Sequence, residues 1–431
     1  MKSLDSFIHS SAQHQDRRRP DGGLPRIWLI RHLSTGLVKY RQHYEPNVYK
    51  PRVDRFIILK VLIINIGPSR SGVGNYVKLI LKYGRLDYDV LNVSLFGRRS
   101  PADYPSSVEH TSYISISSNP VEGLIKYYFG FMSREITSGA EDMGRDADLI
   151  FLSQQDLIGV AALIRKRLGR PVVATIHDVG IFRGKYLWHP YRFFIDSNLR
   201  RVNDLSMVFF DSEKTEQDVM RKVDLRVPHR VIELTVDPQL FRPIPRSEAR
   251  EKLDLPLEGT LLLSVGKDGY VKNIRTVLRS LAFLDSVKLV RVGKLENSLR
   301  VYRSLPQDIR ERILIREDVP DELLPYYYSA ADAFLFPSLA EGFGLELLEA
   351  AFCGTPVVTT DAPPMNDIIP VGHFVKDPMD PEELAEAVRF TLRDRDDILE
   401  SYGSLRRRFD VERFIRNFEG GILEASGLKD G

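Results

Sequence analysis

Eight short apolar runs, rich in β-branched residues, punctuate the chain. They are FIILKVLIINI, DLIFLS, PVVATIH and MVFFDS in the first half, then TLLLSVG, VKLVRVG, AFLFPS and TPVVTT. Runs apolar on both faces mark strands sandwiched between layers, as in a parallel sheet covered by helices on each side. The segments between them are longer and helix-compatible. The pattern predicts an α/β chain built on doubly wound parallel sheets.

The proline-bearing stretch VDPQLFRPIPRSEAREKLDLP interrupts this alternation and carries no strand pattern. It reads as a linker, giving a first α/β half over 52–241 and a second over 242–409. The first 52 residues differ again, with ten Lys or Arg against four Asp or Glu, including Arg17, Arg18 and Arg19. Residues 1–51 are therefore expected to be a basic extension. Its segment LPRIWLIRHLSTGLVKYRQHY is a candidate amphipathic helix that could rest on anionic lipid.

Composition narrows the class. With 431 residues, 43% hydrophobic and 28% charged, the chain is long enough for two or three domains and can build substantial cores. A net charge of +2 does not suit a nucleic-acid binder. The single cysteine, Cys353, excludes an internal disulfide framework and suits a reducing compartment, so a cytoplasmic location is expected. FIILKVLIINI is too short for the roughly 20 apolar residues of a membrane span.

In open parallel sheets, ligands bind beyond the carboxyl ends of the strands. After the first run come Gly67, Ser71, Gly72 and Gly74; after PVVATI come His177 and Asp178; after MVFF come Asp211 and Ser212. In the second half, TLLLSV leads to Gly266, Lys267 and Lys272, VKLVRVG to Lys294, and AFLFPS to the glycine-flanked Glu341 loop. Gly, Lys, Glu and His on the rims of two sheets suit a ligand with an anionic middle and a hydroxyl-rich end.

The stretch EGFGLELLEAAFCGTPVV is the most specific feature. It resembles the signature of the retaining glycosyltransferases of family 4, in which two glutamates flank seven residues and Gly-x-Pro-Val-Val follows. Here these are Glu341-Gly342-Phe343-Gly344-Leu345, Glu349 and Gly354-Thr355-Pro356-Val357-Val358, with Glu346 in place of the usual proline. The family's basic pair after Ser-Val-Gly is matched by Lys267 and Lys272; lysine at 267 keeps the charge of the usual arginine but loses its bidentate geometry. SGVGNYV, ATIHDV, VFFDSEKTEQDV, ELTVDPQLFRP and FDVERFIRNFEGGILEA extend the resemblance from about Phe56 onward.

The resemblance implies the GT-B fold: two Rossmann-like domains facing across a cleft, with a last helix over 410–431 crossing back to the first domain. It implies transfer of a hexose, of mannose or glucose type, from a nucleotide-diphosphate sugar to an acceptor hydroxyl, with retention. Glu341, His177 and Lys272 would be catalytic. Gly72, Gly74, Gly266, Lys267, Lys272, Glu341, Gly342, Phe343, Gly344, Leu345 and Glu349 would hold the donor, Glu341 on the sugar and Glu349 on the ribose. His177, Asp178, Tyr186 and Trp188 would face the acceptor, a glycan or a lipid-linked molecule.

No cofactor or metal is expected. Asp146-Ala147-Asp148 spells D-x-D but abuts a strand run and reads as surface. The aromatic and basic stretches GLIKYYFGFMSRE and GKYLWHPYRFFIDSNLRR read as packed helices or as a lip contacting the cytoplasmic face of a membrane. Three other functions compete: a GT-B sugar-nucleotide epimerase, an NADP-dependent oxidoreductase suggested by G-x-G with Arg98-Arg99, and a silent binding subunit. Val77 stands at the third glycine position of the dinucleotide fingerprint, which weakens the oxidoreductase.

Overall fold

A computed structural model describes residues 28–31, 38–41, 59–66, 71–94, 110–128, 133–179 and 190–427. The first sheet uses β1 (Trp28–Arg31), β2 (Val38–Arg41), β3 (Lys60–Ile66), β4 (Asp87–Ser94), β5 (His110–Ser115), β6 (Leu149–Leu152), β7 (Val172–Ile176), β8 (Met207–Phe210) and β9 (His229–Val231). Their spatial order is β1-β2-β5-β4-β3-β6-β7-β8-β9. All neighbours from β5 to β9 are parallel. The second sheet comprises β10 (Thr260–Val265), β11 (Val287–Val292), β12 (Ile313–Arg316), β13 (Ala333–Phe336), β14 (Val357–Thr360) and β15 (Phe374–Val375). Its order is β12-β11-β10-β13-β14-β15, parallel throughout.

Each sheet reverses its winding once, between β3 and β6 and between β10 and β13. These are the switch points where open α/β sheets place ligands. The eight apolar runs all became strands with both faces covered; β13 and β14, for instance, are buried along their whole length.

Two departures from the sequence reading are informative. The leader segment expected as an amphipathic helix forms β1 and β2, an antiparallel pair that continues the sheet beyond β5. WLIR and VKYR are rich in β-branched and aromatic residues, and edge pairing satisfies their backbone groups. Second, β4 reads DYDVLNVS, too polar to stand out, yet it is central and buried from Tyr88 to Ser94. Its polar side chains pair inside the fold: Asn65 donates to Asn92 at 3.0 Å, and Lys60 sits 3.1 Å from Asp89.

One apolar cluster runs from Leu59 and Phe151 through Val236 and Phe241 to Phe334 and Leu348, so the linker threads a core shared by both sheets. The helix Val411–Ser426 lies on the first sheet, where Phe418 packs edge-on against Phe151 and Phe209 at ring separations of 5.0 and 5.8 Å. Its Glu419 accepts hydrogen bonds from the backbone N–H of Arg85 and Leu86 and from the hydroxyl of Tyr88.

Candidate functional site

At the switch point of the second sheet, β10 and β13 end side by side. The chain leaves β10 through Gly266, whose φ of +115° favours glycine, and reaches Lys272 just before the helix Ile274–Ser280. It leaves β13 through Pro337 and Ser338, and the Glu341 loop then enters the helix Leu345–Phe352. The two loops are stitched by Leu339 N–H on the Val271 carbonyl at 2.8 Å. Lys272 Nζ lies 3.0 Å from Glu341 Oε1 and 2.6 Å from Glu346 Oε1, and 4.4 Å from the Phe336 ring centre.

The titration of this cluster follows from its burial. Burial alone would lower the Lys272 ammonium, but the charges of Glu341 and Glu346 override it and hold it well above its usual range. Burial raises the Glu341 carboxyl; Lys272 and the Ser338 hydroxyl, 2.6 Å away, oppose this, while Glu346 adds to it. Burial outweighs the ion pair, with the second carboxylate adding to it, so Glu341 rises despite Lys272. Burial, with the nearby charge of Glu346, pushes Glu349 up to about 8 although Tyr328 donates a hydrogen bond to it.

The opposite wall comes from the first sheet. Beyond β7, His177 turns its ring inward: Nε2 lies 2.9 Å from the Ser153 carbonyl, Nδ1 lies 3.5 Å from Asp211 Oδ2, and the edge of Tyr76 covers it at 5.0 Å. Because a carbonyl only accepts, the bonded tautomer carries its proton on Nε2. Burial raises the Asp211 carboxyl against the pull of His177. The groups His177 turns toward the second domain are therefore backbone. A Cβ built on Gly342 would stand 1.6 Å from the His177 carbonyl oxygen, so position 342 admits glycine alone. Ser212 completes the seam by donating to the Gly342 carbonyl at 2.6 Å.

The structure thus gathers Lys272, Glu341 and Glu346 into one cluster, with His177 and Asp178 against the same loop. Gly72 faces Leu345, whose Cδ1 would lie 3.9 Å from a Cβ built there. Gly74 is buried, and its N–H is taken by the Ser71 hydroxyl capping the helix Gly72–Tyr83. Phe343 is buried against Phe409 at 5.9 Å, leaving its backbone as the part available to a ligand. Gly344, with φ of +99°, starts the helix. Glu349 and Leu345 line a cavity of about 300 Å³ between the domains. Lys267 lines a different one, of about 340 Å³, with Gly293, Lys294 and Asp318. Tyr186 and Trp188 lie outside the described residues.

Several contributors escaped the sequence reading. Ser338 and Tyr328 buttress the two glutamates. Arg291 sits inside β11, fully buried, and donates to the carbonyls of Ser264, Val292 and Gly266, holding the turn after β10 from beneath. Burial pushes its guanidinium down to about 10. An arginine in the middle of an apolar run, VKLVRVG, was the available signal. Among the described residues no group of His, Cys, Asp or Glu is arranged to hold a metal ion. Asp148 of the D-x-D triplet accepts from the Lys60 N–H at 2.9 Å.

Residues 245–410 match a family described as glycosyl transferases group 1. The chain is 28% identical over 240 residues to O-antigen chain mannosyltransferase B of Escherichia coli, an alignment covering 52% of this chain and 61% of that protein. It is 26% identical over 364 residues to the D-inositol 3-phosphate glycosyltransferase of Thermobispora bispora, covering 76% and 84%. Among solved structures, sucrose-phosphate synthase from Thermosynechococcus elongatus superposes with a TM-score of 0.67 at 20% identity, covering 86% of this chain and 98% of that one. Anabaena Alr3699/HepE in complex with UDP-glucose gives 0.67 at 19% identity, covering 85% and 100%. The architecture is the GT-B fold.

Proposed function

We propose that this chain, whose residues 245–410 match the glycosyl transferases group 1 family, is a retaining hexosyltransferase of family 4. It takes a hexose of mannose or glucose type from a nucleotide-diphosphate sugar and delivers it to a hydroxyl of a glycan or lipid-linked acceptor. The observation that carries this reading is the placement of Lys272 between two carboxylates at the switch point of the second sheet. A cation there meets the charge that grows on a departing diphosphate, and it does so where water is largely excluded.

The residues divide the work. Lys272 and the backbone N–H groups at the start of the Leu345–Phe352 helix hold the anionic leaving group. Glu341, braced by Ser338, accepts hydrogen bonds from sugar hydroxyls, and Glu349 does the same for the ribose. His177, whose ring is turned inward onto the Ser153 carbonyl, contributes through its backbone and shapes the acceptor side. Retention follows from front-face attack, in which the departing diphosphate takes the acceptor proton. Domain closure completes the site, with Gly342 docked on His177.

A UDP-glucose complex among the structural neighbours and a mannosyltransferase among the relatives support the donor class. No helix among the described residues is long and apolar enough to cross a membrane. Peripheral contact at the cytoplasmic face of a membrane belongs to the proposal, supported by exposed Val121 and Ile125 on one helix and Phe193 on another.

A thermal-shift panel of UDP-, GDP- and ADP-sugars tests the reading, followed by NMR of the product anomer. Stabilisation by one nucleotide series and an α-linked product from an α-linked donor is expected. No stabilisation by any series would overturn it, and sugar-nucleotide turnover without an acceptor would point to the epimerase.

A further inference from the structure

Glu346 occupies the signature position where the resembling family usually has proline, and its carboxylate makes the shortest contact of Lys272, 2.6 Å. The same oxygen would lie 3.5 Å from a Cβ on Gly266, so the side chain reaches from the helix start across to the turn after β10. That gap, between a helix N-terminus, a glycine turn and a lysine, is the space the donor's diphosphate needs under the function proposed above. We infer that Glu346 is an internal anion that holds the diphosphate position on Lys272 in the empty site and yields it to the donor, lowering diphosphate affinity while leaving monophosphate affinity untouched.

The charge count requires a displacement. Lys272 brings one positive charge and already faces Glu341 and Glu346. A diphosphate added to that set would meet a local excess of negative charge, which is costly where solvent is thin. One carboxylate therefore leaves.

Glu341 is the poorer candidate, because Ser338 also grips its Oε1 at 2.6 Å and its loop is docked on Ser212. Glu346 has Lys272 as its sole hydrogen-bond partner among the described residues, and its side chain is more exposed, 22% against 14%. Rotation of Glu346 toward solvent frees Lys272 and costs one ion pair. A nucleoside monophosphate does not extend to Lys272, so its binding leaves that pair intact. Only a ligand carrying the second phosphate competes for the lysine.

The test is titration calorimetry with the nucleoside diphosphate and the monophosphate of whichever base the thermal-shift panel selects. Wild type, Glu346→Gln, Glu346→Ala and Lys272→Ala are compared. Glu346→Gln, which keeps shape and removes charge, should bind the diphosphate roughly fivefold more tightly, the factor expected for one partly buried ion pair. Glu346→Ala should gain at least as much, and monophosphate affinity should stay unchanged in both. Unchanged or weaker diphosphate binding in both Glu346 variants, alongside a loss in Lys272→Ala, overturns this inference and leaves the donor site standing. Diphosphate binding indifferent to Lys272→Ala as well overturns the donor site itself.

Discussion

Tyr328 donates its hydroxyl proton to Glu349 Oε2 at 2.7 Å, and both side chains are buried. The bond favours the carboxylate, yet burial and the charge of Glu346 prevail and push Glu349 up to about 8 from its ordinary 4.5. The unliganded protein therefore carries a proton here through neutral pH.

That proton has a stability signature. Between the unfolded value of 4.5 and the folded value of about 8, the native state binds the proton more tightly than the unfolded chain does. The contribution is in place below the lower value and is lost as pH rises through the upper one. Glu349→Gln removes the titration, so its stability relative to wild type should improve by roughly 2–4 kcal/mol between about pH 6 and about pH 9. Urea unfolding at both pH values checks it; parallel curves for the two proteins refute it. Under the role proposed for Glu349, donor affinity should move the other way in wild type, tightening as pH rises, because ribose hydroxyls bond best to the ionised carboxylate.

Lys272→Ala leaves Glu341 and Glu346 without their cation and removes the charge proposed to meet the leaving group. Transfer should slow by the equivalent of about 2–4 kcal/mol of transition-state stabilisation. Steady-state rates within twofold of wild type would sink the assignment.

The paired glutamates should separate by readout. Glu341→Gln is expected to damage transfer while nucleoside-diphosphate affinity holds, since its proposed partner is the sugar. Glu349→Ala should weaken the nucleotide itself. Calorimetry on both variants decides, and equal losses abolish the division of roles.

Gly342→Ala places a methyl group inside the van der Waals radius of the His177 carbonyl oxygen, 1.6 Å away before any shift. The loop must withdraw from the first domain, breaking the Ser212 contact. Small-angle scattering should report a more open particle, with transfer largely lost. Gly403→Ala is the control, because nothing lies within 4 Å of a Cβ there and the site is mid-helix. It should stabilise the protein by about 0.5–1 kcal/mol. A compact, active Gly342→Ala protein would contradict the seam.

Membrane contact is tested by sedimentation with anionic vesicles, using the full chain and a version beginning at Val53. Each Lys or Arg near such a surface contributes roughly 1 kcal/mol, and salt screens it. Pelleting at low salt that falls with added salt is expected. If neither protein pellets, the membrane reading fails; equal pelleting assigns the contact to the exposed apolar residues of the first domain.

Much of this was legible in the amino-acid pattern, for a physical reason. β10, β13 and β14 are covered on both faces, so their sequences are apolar throughout, and the residues that follow them must line the switch point. β4 hid because Asp89 and Asn92 are paired laterally inside the sheet, where a hydropathy pattern has no access. Arg291 stood out inside an apolar run, but the Ser264 and Gly266 carbonyls it holds belong to the neighbouring strand and its turn, which only the fold brings beside it. Glu346 was visible as a departure from the resembling signature, but its partner was not, since Lys272 lies on a different loop and is joined to it only by the order of the strands.

The helix Val411–Ser426 covers Phe151 and Phe209 and grips the start of β4 through Glu419. On the ribosome, every strand of the first sheet has emerged long before this helix does, and domains made first ordinarily fold first. Here the earlier-made half is expected to stay unfinished, with Phe151 and Phe209 uncovered, until the second half has been synthesised behind it. The nascent chain thus has a built-in order of completion in which the second sheet can close first. A release arrested before Phe414 should yield a first half that binds chaperones and resists compaction, while the donor-side half is already protected from protease.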